Sequence, residues 1–236
     1  MRTIFQDIRK ELKENATQKD RESAHKFYKE SIKNYGTKTP IVRKIANNHW
    51  QEIKNLSKKE IFSICEELLS SDYNEESTIA FQWADKLEKD LVKSDFDVFE
   101  NWSRKYVNNW SKCDDFCTRI FGKLILKYPE LLPKTKKWTR SKNLWMRRIS
   151  AVILIYAIRR EERYLPQIFW VSDQLLTDSE DMVQKGYGWA LKEAANHYEQ
   201  EVFDFVIKRK NEMPRTALRY AIEKMPLKLK KEAMGK

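Results

Sequence analysis

Ser141-Lys-Asn-Leu-Trp-Met-Arg-Arg148 and Ser179-Glu-Asp-Met-Val-Gln-Lys-Gly186 begin 38 residues apart, and each leads from a polar turn into a helix with an apolar face. A similar unit opens at Ser71-Asp-Tyr-Asn-Glu-Glu-Ser-Thr-Ile-Ala-Phe-Gln-Trp83. A period near 40 residues with two helices per unit is typical of HEAT-like repeats, whose neighbours stack to bury what one helix pair leaves exposed. We therefore predict an all-α fold, a right-handed α-solenoid of antiparallel helix pairs with a concave basic groove.

Proline and glycine divide the chain into short helices, and we predict no strands. Residues 152–156 are apolar enough for a buried strand, but the surrounding pattern has the helical period and no hairpin turn follows. An early helix is expected to run toward Tyr35 and to end at Gly36 in the left-handed backbone conformation. Thr39 would then cap the next helix, with Pro40 in its first turn.

The chain is long and basic. Its 236 residues suffice for one domain with a substantial core or for one elongated array, so we predict a single HEAT-like domain over residues 1–236. Lys and Arg number 46 against 35 Asp and Glu, a net charge of +11 that favours anionic partners such as nucleic acid. Many proteins with such a charge bind nucleic acid only weakly, so the charge does not define an activity.

The cysteines indicate neither a disulfide framework nor a metal site. They are odd in number and lie in helical patterns, at Cys65, Cys113 and Cys117. Cys113 and Cys117 would need two more ligands to bind zinc, and no histidine lies at a suitable spacing. We expect no metal and no organic cofactor. Because no stretch resembles a signal peptide or a membrane span, we expect a cytoplasmic protein without membrane contact.

Trp189 occupies an unusual position in a predicted helix over residues 181–196. At about 100° per residue, the apolar residues of this helix form one stripe, and Trp189 lies nearly opposite it. Gly186, one turn earlier on the same side, would let a backbone or a ligand approach. Two interpretations stay open: Trp189 faces a ligand, or it packs against the next helical layer.

Arg148 borders the apolar stripe of the helix that follows Asn143, whereas Arg147 points away from that stripe. An arginine beside an apolar surface needs an anionic partner, and the guanidinium fork matches the oxygens of a phosphate. An ion pair with Asp or Glu inside the protein is the competing explanation.

Trp110 and Asp114 lie one turn apart and share a helix face, at the edge of an apolar stripe that continues from Cys117 to Leu124. The helix dipole also favours a carboxylate in the first turns of a helix. From spacing alone, an ordinary first-turn acid is the simpler interpretation of Asp114.

Four motifs, in order along the chain, resemble the AlkD family of DNA alkylation-repair glycosylases, which has an α-helical HEAT-like fold. They are Asn109-Trp110-Ser-Lys-Cys-Asp114, Tyr128-Pro129-Glu130-Leu131, Asn143-Leu-Trp145-Met-Arg-Arg148 and Gln184-Lys185-Gly-Tyr-Gly188-Trp189-Ala-Leu-Lys192. The similarity runs from about residue 26 to residue 222 and includes Gly36-x-x-Thr39-Pro40-x-x-Arg43. The order of all four motifs carries the resemblance.

The resemblance implies roles for the matching residues. In that family an aspartate and two tryptophans surround the deoxyribose of the damaged nucleotide, which implies this role for Asp114, Trp110 and Trp189. An arginine holds a DNA phosphate there, which implies the same for Arg148. The further candidates for contacts with DNA are Lys185, Arg43, Lys192 and Thr39.

Two positions depart from the family pattern. Phe27 stands where a tyrosine can occur, so a hydroxyl contact from that helix is expected to be absent. Lys192 replaces an arginine, so a bidentate contact becomes a point charge.

The resemblance implies a monomeric DNA glycosylase for cationic N3- or N7-alkylated purines in duplex DNA, such as 7-methylguanine and 3-methyladenine. It would hydrolyse the N-glycosidic bond and leave an abasic site, without flipping the lesion into a pocket as most glycosylases do. A non-catalytic HEAT-like scaffold that binds DNA or protein is the alternative. An RNA-binding repeat would instead stack bases on exposed aromatics such as Trp50 or Trp102.

Overall fold

A computed structural model describes residues 3–235 of the chain. Over these residues the structure is helical and contains no strand, and an isolated bridge joins Lys33 to Tyr73. The all-α class predicted from the sequence is confirmed. The chain divides into two compact units, one that ends at Asp115 and one that begins at Phe116. The single domain over residues 1–236 stays a prediction.

The first unit is built from helices that pack on their near neighbours in the chain. Their bounds are α1 Ile4–Glu14, α2 Gln18–Phe27, α3 Thr39–Ile53, α4 Lys58–Ser70, α5 Asn74–Asp85, α6 Asp95–Tyr106 and α7 Trp110–Phe116. α4 packs on α5, and α5 packs on α3. Their fully buried aromatic side chains include Phe81, Trp83, Phe99 and Trp102. Because Trp102 is buried, it is not exposed to stack on RNA bases.

The second unit contains the two similar stretches that begin at Ser141 and Ser179. Its helices are α8 Gly122–Lys127, α9 Leu132–Thr135, α10 Leu144–Val152, α11 Ile155–Ile158, α12 Leu165–Gln174, α13 Asp181–Ala195, α14 Glu199–Arg209, α15 Arg215–Ala221 and α16 Leu227–Met234. α10 and α13, which begin inside the two similar stretches, pack on each other. This contact is the stacking of equivalent helices that a repeat array requires.

The apolar stripe that follows Asp114 is not carried by one continuous helix. Residues Cys117–Phe121 form a widened π-helical turn in which Arg119 departs from helical geometry, with φ −119° and ψ −117°. A Cβ atom at Gly122, the first residue of α8, would lie 2.6 Å from the Cβ atom of Tyr156. α8 therefore packs very closely on α11.

Most prolines mark helix starts as predicted. Pro166 lies in the first turn of α12, and Pro214 and Pro226 immediately precede α15 and α16. The predicted cap of α3 is displaced by one residue, because Thr39 is already the first helical residue and Lys38 takes the cap position. The Lys38 side chain makes no capping hydrogen bond.

The prediction for the end of the second helix is wrong. α2 ends at Phe27, and Gly36 lies in an irregular segment well beyond it, although its backbone is left-handed as predicted, with φ +93°. One carboxylate oxygen of Glu75 accepts hydrogen bonds from the backbone N–H groups of Tyr35, Gly36 and Thr37, at 2.9, 2.9 and 3.2 Å. Because a buried side chain satisfies these donors, the segment has no need of helical hydrogen bonds.

Replacement of Gly36 by alanine is expected to lower the free energy of unfolding by at least about 1–3 kcal/mol. The positive φ disfavours a side chain, and a Cβ atom would lie 2.6 Å from the carbonyl oxygen of Thr17. Urea unfolding of Gly36→Ala against the wild type measures the difference. Gly235→Ala is the matched control, since Gly235 has a φ of −66°. Equal stability of both variants would contradict this account.

Candidate functional site

Trp110 and Asp114 lie together in the short helix α7, as the motif predicts. Asn109 precedes the helix, and its side-chain oxygen accepts a hydrogen bond from the backbone N–H of Lys112 at 3.0 Å. This is a capping contact that fixes where the helix begins. Trp110 and Asp114 are both half-buried, one turn apart, so each retains some exposure to solvent. The carboxylate and the indole can therefore act on one bound group.

Tyr28 completes this part of the site and was missed by the sequence analysis. Its ring stacks on the ring of Trp110, with centroids 5.0 Å apart and an interplanar angle of 18°. Its hydroxyl is hydrogen-bonded to Ser111. Burial is the main cause of the raised pKa of Tyr28; the hydrogen bond with Ser111 opposes it, and the negative charges of Glu75, Glu30 and Asp114 add smaller increases. The hydroxyl therefore stays neutral and can donate a hydrogen bond.

The expected absence of a hydroxyl contact from the helix that carries Phe27 stays a prediction, but Tyr28 brings a hydroxyl to this region from just beyond that helix. Phe27 is the last residue of α2, and its side chain is 73% exposed. Tyr28 follows directly, where the chain leaves the helix, and turns its ring toward α7. A tyrosine one position beyond the expected one was the signal in the sequence.

Arg43 and Thr39 lie on α3 in the same unit. The Arg43 guanidinium donates to the Asp115 carboxylate at 3.2 Å, and both side chains are half-buried. Thr39 is exposed at the start of α3. The arginine thus pairs with the neighbour of Asp114 and links α3 to α7.

Arg148 in the second unit is almost fully buried, with 4% of its surface exposed. Its guanidinium donates to the backbone carbonyl of Met182 at 2.5 Å. A Cβ atom at Gly186 would lie 3.0 Å from Cγ of Arg148, so this glycine admits the arginine side chain. Its neighbour Arg147 donates to the Asp178 carboxylate at 2.6 Å. The phosphate contact of Arg148 stays a prediction.

Trp189 is half-buried, and its indole N–H donates to Glu193 at 2.9 Å. The other oxygen of Glu193 accepts from Arg159 at 2.8 Å, and Glu193 itself is 6% exposed. Burial raises the pKa of Glu193, but the hydrogen bonds from Arg159 and Trp189 outweigh it and leave that pKa below its ordinary value. The ionised Glu193 carboxylate thus holds the Trp189 indole in place through the hydrogen bond to its N–H group. Glu193, four residues after Trp189, was also missed by the sequence analysis.

The two lysine candidates both make ion pairs within the second unit. The Lys185 ammonium lies 2.8 Å from the carboxylate of Asp181, which is one turn earlier on α13. Lys192 lies 3.0 Å from Glu223. Surface pairs of this kind contribute only about 0–1 kcal/mol, so either lysine can exchange its partner for a phosphate at little cost.

Within each unit the structure brings some of the predicted residues together. In the first unit Trp110 and Asp114 share α7. In the second unit Lys185 and Trp189 share α13, and the side chain of Arg148 packs on that helix at Gly186. Over residues 3–235, no three His, Cys, Asp or Glu side chains are grouped as a metal ion would require. No helix in the described part of the chain is both long and apolar enough to cross a lipid bilayer.

Comparison with known proteins defines the class. The family model described as DNA alkylation repair enzyme matches residues 8–225. A solved structure described as a predicted DNA alkylation repair enzyme from Enterococcus faecalis superimposes with a TM-score of 0.79. The match covers 90% of this chain and 98% of that chain at 14% sequence identity, which shows a shared fold. Comparison with curated protein sequences gives no match.

Fold and family match together define an all-α enzyme of DNA alkylation repair. The chain belongs to the DNA alkylation repair enzyme family. The resemblance identified from the four motifs is confirmed.

Replacement of Glu193 by glutamine is expected to lower the free energy of unfolding by about 1–2 kcal/mol at pH 7, because two hydrogen bonds lose their charged acceptor. Because the pKa of Glu193 is lowered by folding, its charge stabilises the protein above its ordinary pKa of 4.5. This contribution to the free energy of unfolding is lost as the pH falls from 4.5 through the lowered pKa of Glu193 in the folded protein. Urea unfolding at pH 7 and pH 4 tests both statements.

The exposed residue Glu212 provides the control for this experiment, as Glu212→Gln. The difference in the free energy of unfolding between Glu193→Gln and the wild type should be smaller at pH 4 than at pH 7. Wild-type stability of Glu193→Gln at pH 7 would show that the carboxylate does not hold Trp189 and Arg159.

Proposed function

We propose that the protein is a monofunctional DNA glycosylase for cationic N3- and N7-alkylated purines in duplex DNA, including 7-methylguanine and 3-methyladenine. The observation that carries the proposal is the pairing of Asp114 with Trp110 on α7, beside Tyr28, in a chain that belongs to the DNA alkylation repair enzyme family.

The proposed reaction is hydrolysis with a leaving group that is already activated. Alkylation at N3 or N7 gives the purine a positive charge, so the base departs without protonation by the enzyme. The C1′–N9 bond breaks with both electrons going to the base, which leaves as a neutral molecule. Water then forms a bond to C1′ and loses one proton, and the DNA retains an abasic site.

Asp114 has the central role in this proposal. The sugar acquires oxocarbenium character as the glycosidic bond breaks, and a carboxylate nearby stabilises that positive charge. The same carboxylate can orient the attacking water and accept its proton. Its position in α7 and its partial exposure support access to a sugar.

The two tryptophans are proposed to face the same sugar. An indole face attracts a cation with about 0.5–2 kcal/mol, depending on desolvation. Contact with Tyr28 restrains the Trp110 ring, and the hydrogen bond to Glu193 restrains the Trp189 ring. Rings held in this way lose little entropy when substrate binds. Neutral lesions would gain less from this arrangement, so charge would be the basis of selectivity.

DNA is proposed to bind in a concave basic groove through its phosphates. The net charge of +11 supports such binding, which should weaken as salt concentration rises. The proposed backbone contacts come from Arg148, Lys185, Arg43, Lys192 and Thr39. We further propose that the protein acts as a monomer in the cytoplasm, with neither a metal ion nor an organic cofactor.

Asp114→Asn is expected to lower the single-turnover rate of 7-methylguanine release by at least about 100-fold, because it removes the charge that opposes the developing cation. Affinity for the same methylated duplex should be largely retained, since Asp114 makes no attractive contact with phosphate. Released base is measured by chromatography and affinity by fluorescence anisotropy.

The matched comparison is Asp115→Asn on the same helix. This variant removes the partner of Arg43 but keeps the carboxylate of Asp114, so its loss of rate should be far smaller. Release of 7-methylguanine by Asp114→Asn at the wild-type rate would disprove the role assigned to Asp114.

A further inference from the structure

One stretch of the second unit, residues 131–160, is strongly basic. It contains nine Lys and Arg residues and no Asp or Glu. Five of the nine are exposed and lie within nine consecutive residues: Lys134, Lys136, Lys137, Arg140 and Lys142. Such a run of exposed cations favours an anionic partner at this surface.

The exposed cations project from a segment whose backbone is anchored. Trp138 is fully buried, and Thr135 and Thr139 are buried as well. The Thr139 hydroxyl donates a hydrogen bond to the backbone carbonyl of Lys136 at 2.9 Å. Because these buried side chains alternate with the cations, a partner that binds the cations orders little further chain.

Three of the five cations are not neutralised by acids of the protein. The Lys136 ammonium lies over the ring of Trp170, 5.0 Å from its centroid, and Arg140 lies 3.5 Å from the side-chain oxygen of Gln174. Within residues 3–235, Lys136, Arg140 and Lys142 form no ion pair with a carboxylate. Their positive charges are therefore available to the phosphates of a partner.

Trp170 supports Lys136 from a position that faces away from the core. At about 100° per residue, Trp170 lies roughly 200° around α12 from the buried residue Ile168. Its ring is only half-buried. The indole face attracts the ammonium and keeps it at the surface of α12.

This surface is separate from the DNA contacts proposed for α13. The side of α13 that faces α12 is marked by Tyr187, whose hydroxyl donates to the carbonyl of Leu176, just beyond the end of α12, at 2.9 Å. Lys185, Trp189 and Lys192 lie roughly 140–200° around α13 from Tyr187. The α12 layer and these three candidate residues are therefore on opposite sides of α13.

DNA fits the surface better than a lipid membrane does. The chain belongs to a family of DNA repair enzymes. A helix that binds a membrane surface places large apolar side chains beside its cations. The exposed large apolar side chains of the described residues lie in other parts of the chain: Phe27, Leu56, Val92 and Leu227.

We propose that Lys136, Arg140 and Lys142 form a second DNA-binding surface, which holds the phosphates of a duplex segment other than the one at Lys185 and Trp189. The contact is electrostatic and depends neither on base sequence nor on damage. The protein thereby holds two duplex segments at once. This inference goes beyond the proposed function, because it requires no release of a base.

The number of undamaged duplexes bound per chain tests the proposal. Sedimentation velocity of the full chain with an excess of dye-labelled duplex, about 15 base pairs or roughly 1.5 helical turns long, measures this number. The wild type should bind two duplexes, the weaker with a Kd of about 1–100 μM at physiological salt. The triple variant Lys136→Gln, Arg140→Gln and Lys142→Gln should bind the second duplex at least about tenfold more weakly.

A matched triple variant, Lys54→Gln, Lys59→Gln and Lys86→Gln, removes the same charge from three exposed lysines of the first unit. Lys86 resembles Lys136, since its ammonium lies over the ring of Trp50, 5.5 Å from the centroid. Acids surround Lys86, however: Asp85, Glu88 and Asp90. This variant should bind two duplexes, as the wild type does.

Circular dichroism establishes that both triple variants are folded. Should the loss of Lys136 uncover Trp170 and impair folding, the double variant Arg140→Gln and Lys142→Gln takes the place of the triple variant. Both of these side chains are exposed, and neither covers an aromatic ring. The double variant should also bind the second duplex more weakly than the wild type.

Binding of one duplex by the wild type and by the Lys136 triple variant alike, or equal weakening in both triple variants, would overturn the second surface. Binding of anionic phosphatidylserine vesicles without a second duplex would overturn it as well. If the wild type binds one duplex and the Lys136 triple variant binds none, this surface is kept and the groove proposed around Lys185 and Trp189 is lost.

Discussion

A single buried carboxylate positions the first half of the site. Glu75 on α5 accepts three consecutive backbone N–H groups and thereby ends the helical path of the chain between α2 and α3. The segment that Glu75 binds lies between two candidate site residues. Tyr28 precedes the segment and stacks on Trp110, and Thr39 follows it at the start of α3. Three buried donors would lack a partner without this carboxylate, which would be costly.

Much of the fold follows from local rules that the sequence displays. The helical period, the prolines at helix starts and the 38-residue offset predicted the all-α class and the packing of α10 on α13. The wrong end of the second helix has a clear physical origin. α2 was extended to Gly36 because its N–H donors were assigned to a helix, whereas they are bonded to a side chain 39 residues away in sequence. No pattern in a single segment reports such a long-range contact.

The candidate site likewise has residues that the sequence predicted and residues that it did not. Asp114, Trp110, Trp189 and Arg148 came from motifs, and the structure places them on α7, α13 and α10. The residues that hold them in place were not predicted. Tyr28 reaches Trp110, and Glu193 accepts the indole N–H of Trp189, through side-chain contacts that hydrophobic periodicity does not encode. Gly186 was predicted to let a backbone or a ligand approach, whereas the structure places the side chain of Arg148 against it.

The central claim is that this arrangement breaks the bond between a charged base and its sugar by hydrolysis. The most direct measurement is the stoichiometry of products when the wild-type protein acts on a duplex that contains 7-methylguanine. Free base and intact abasic sites should appear in equal amounts and at equal rates, and a duplex with the uncharged analogue 7-deaza-7-methylguanine should yield neither. Tight binding to the methylated duplex with no free base, or release of the uncharged analogue at the same rate, would contradict the account.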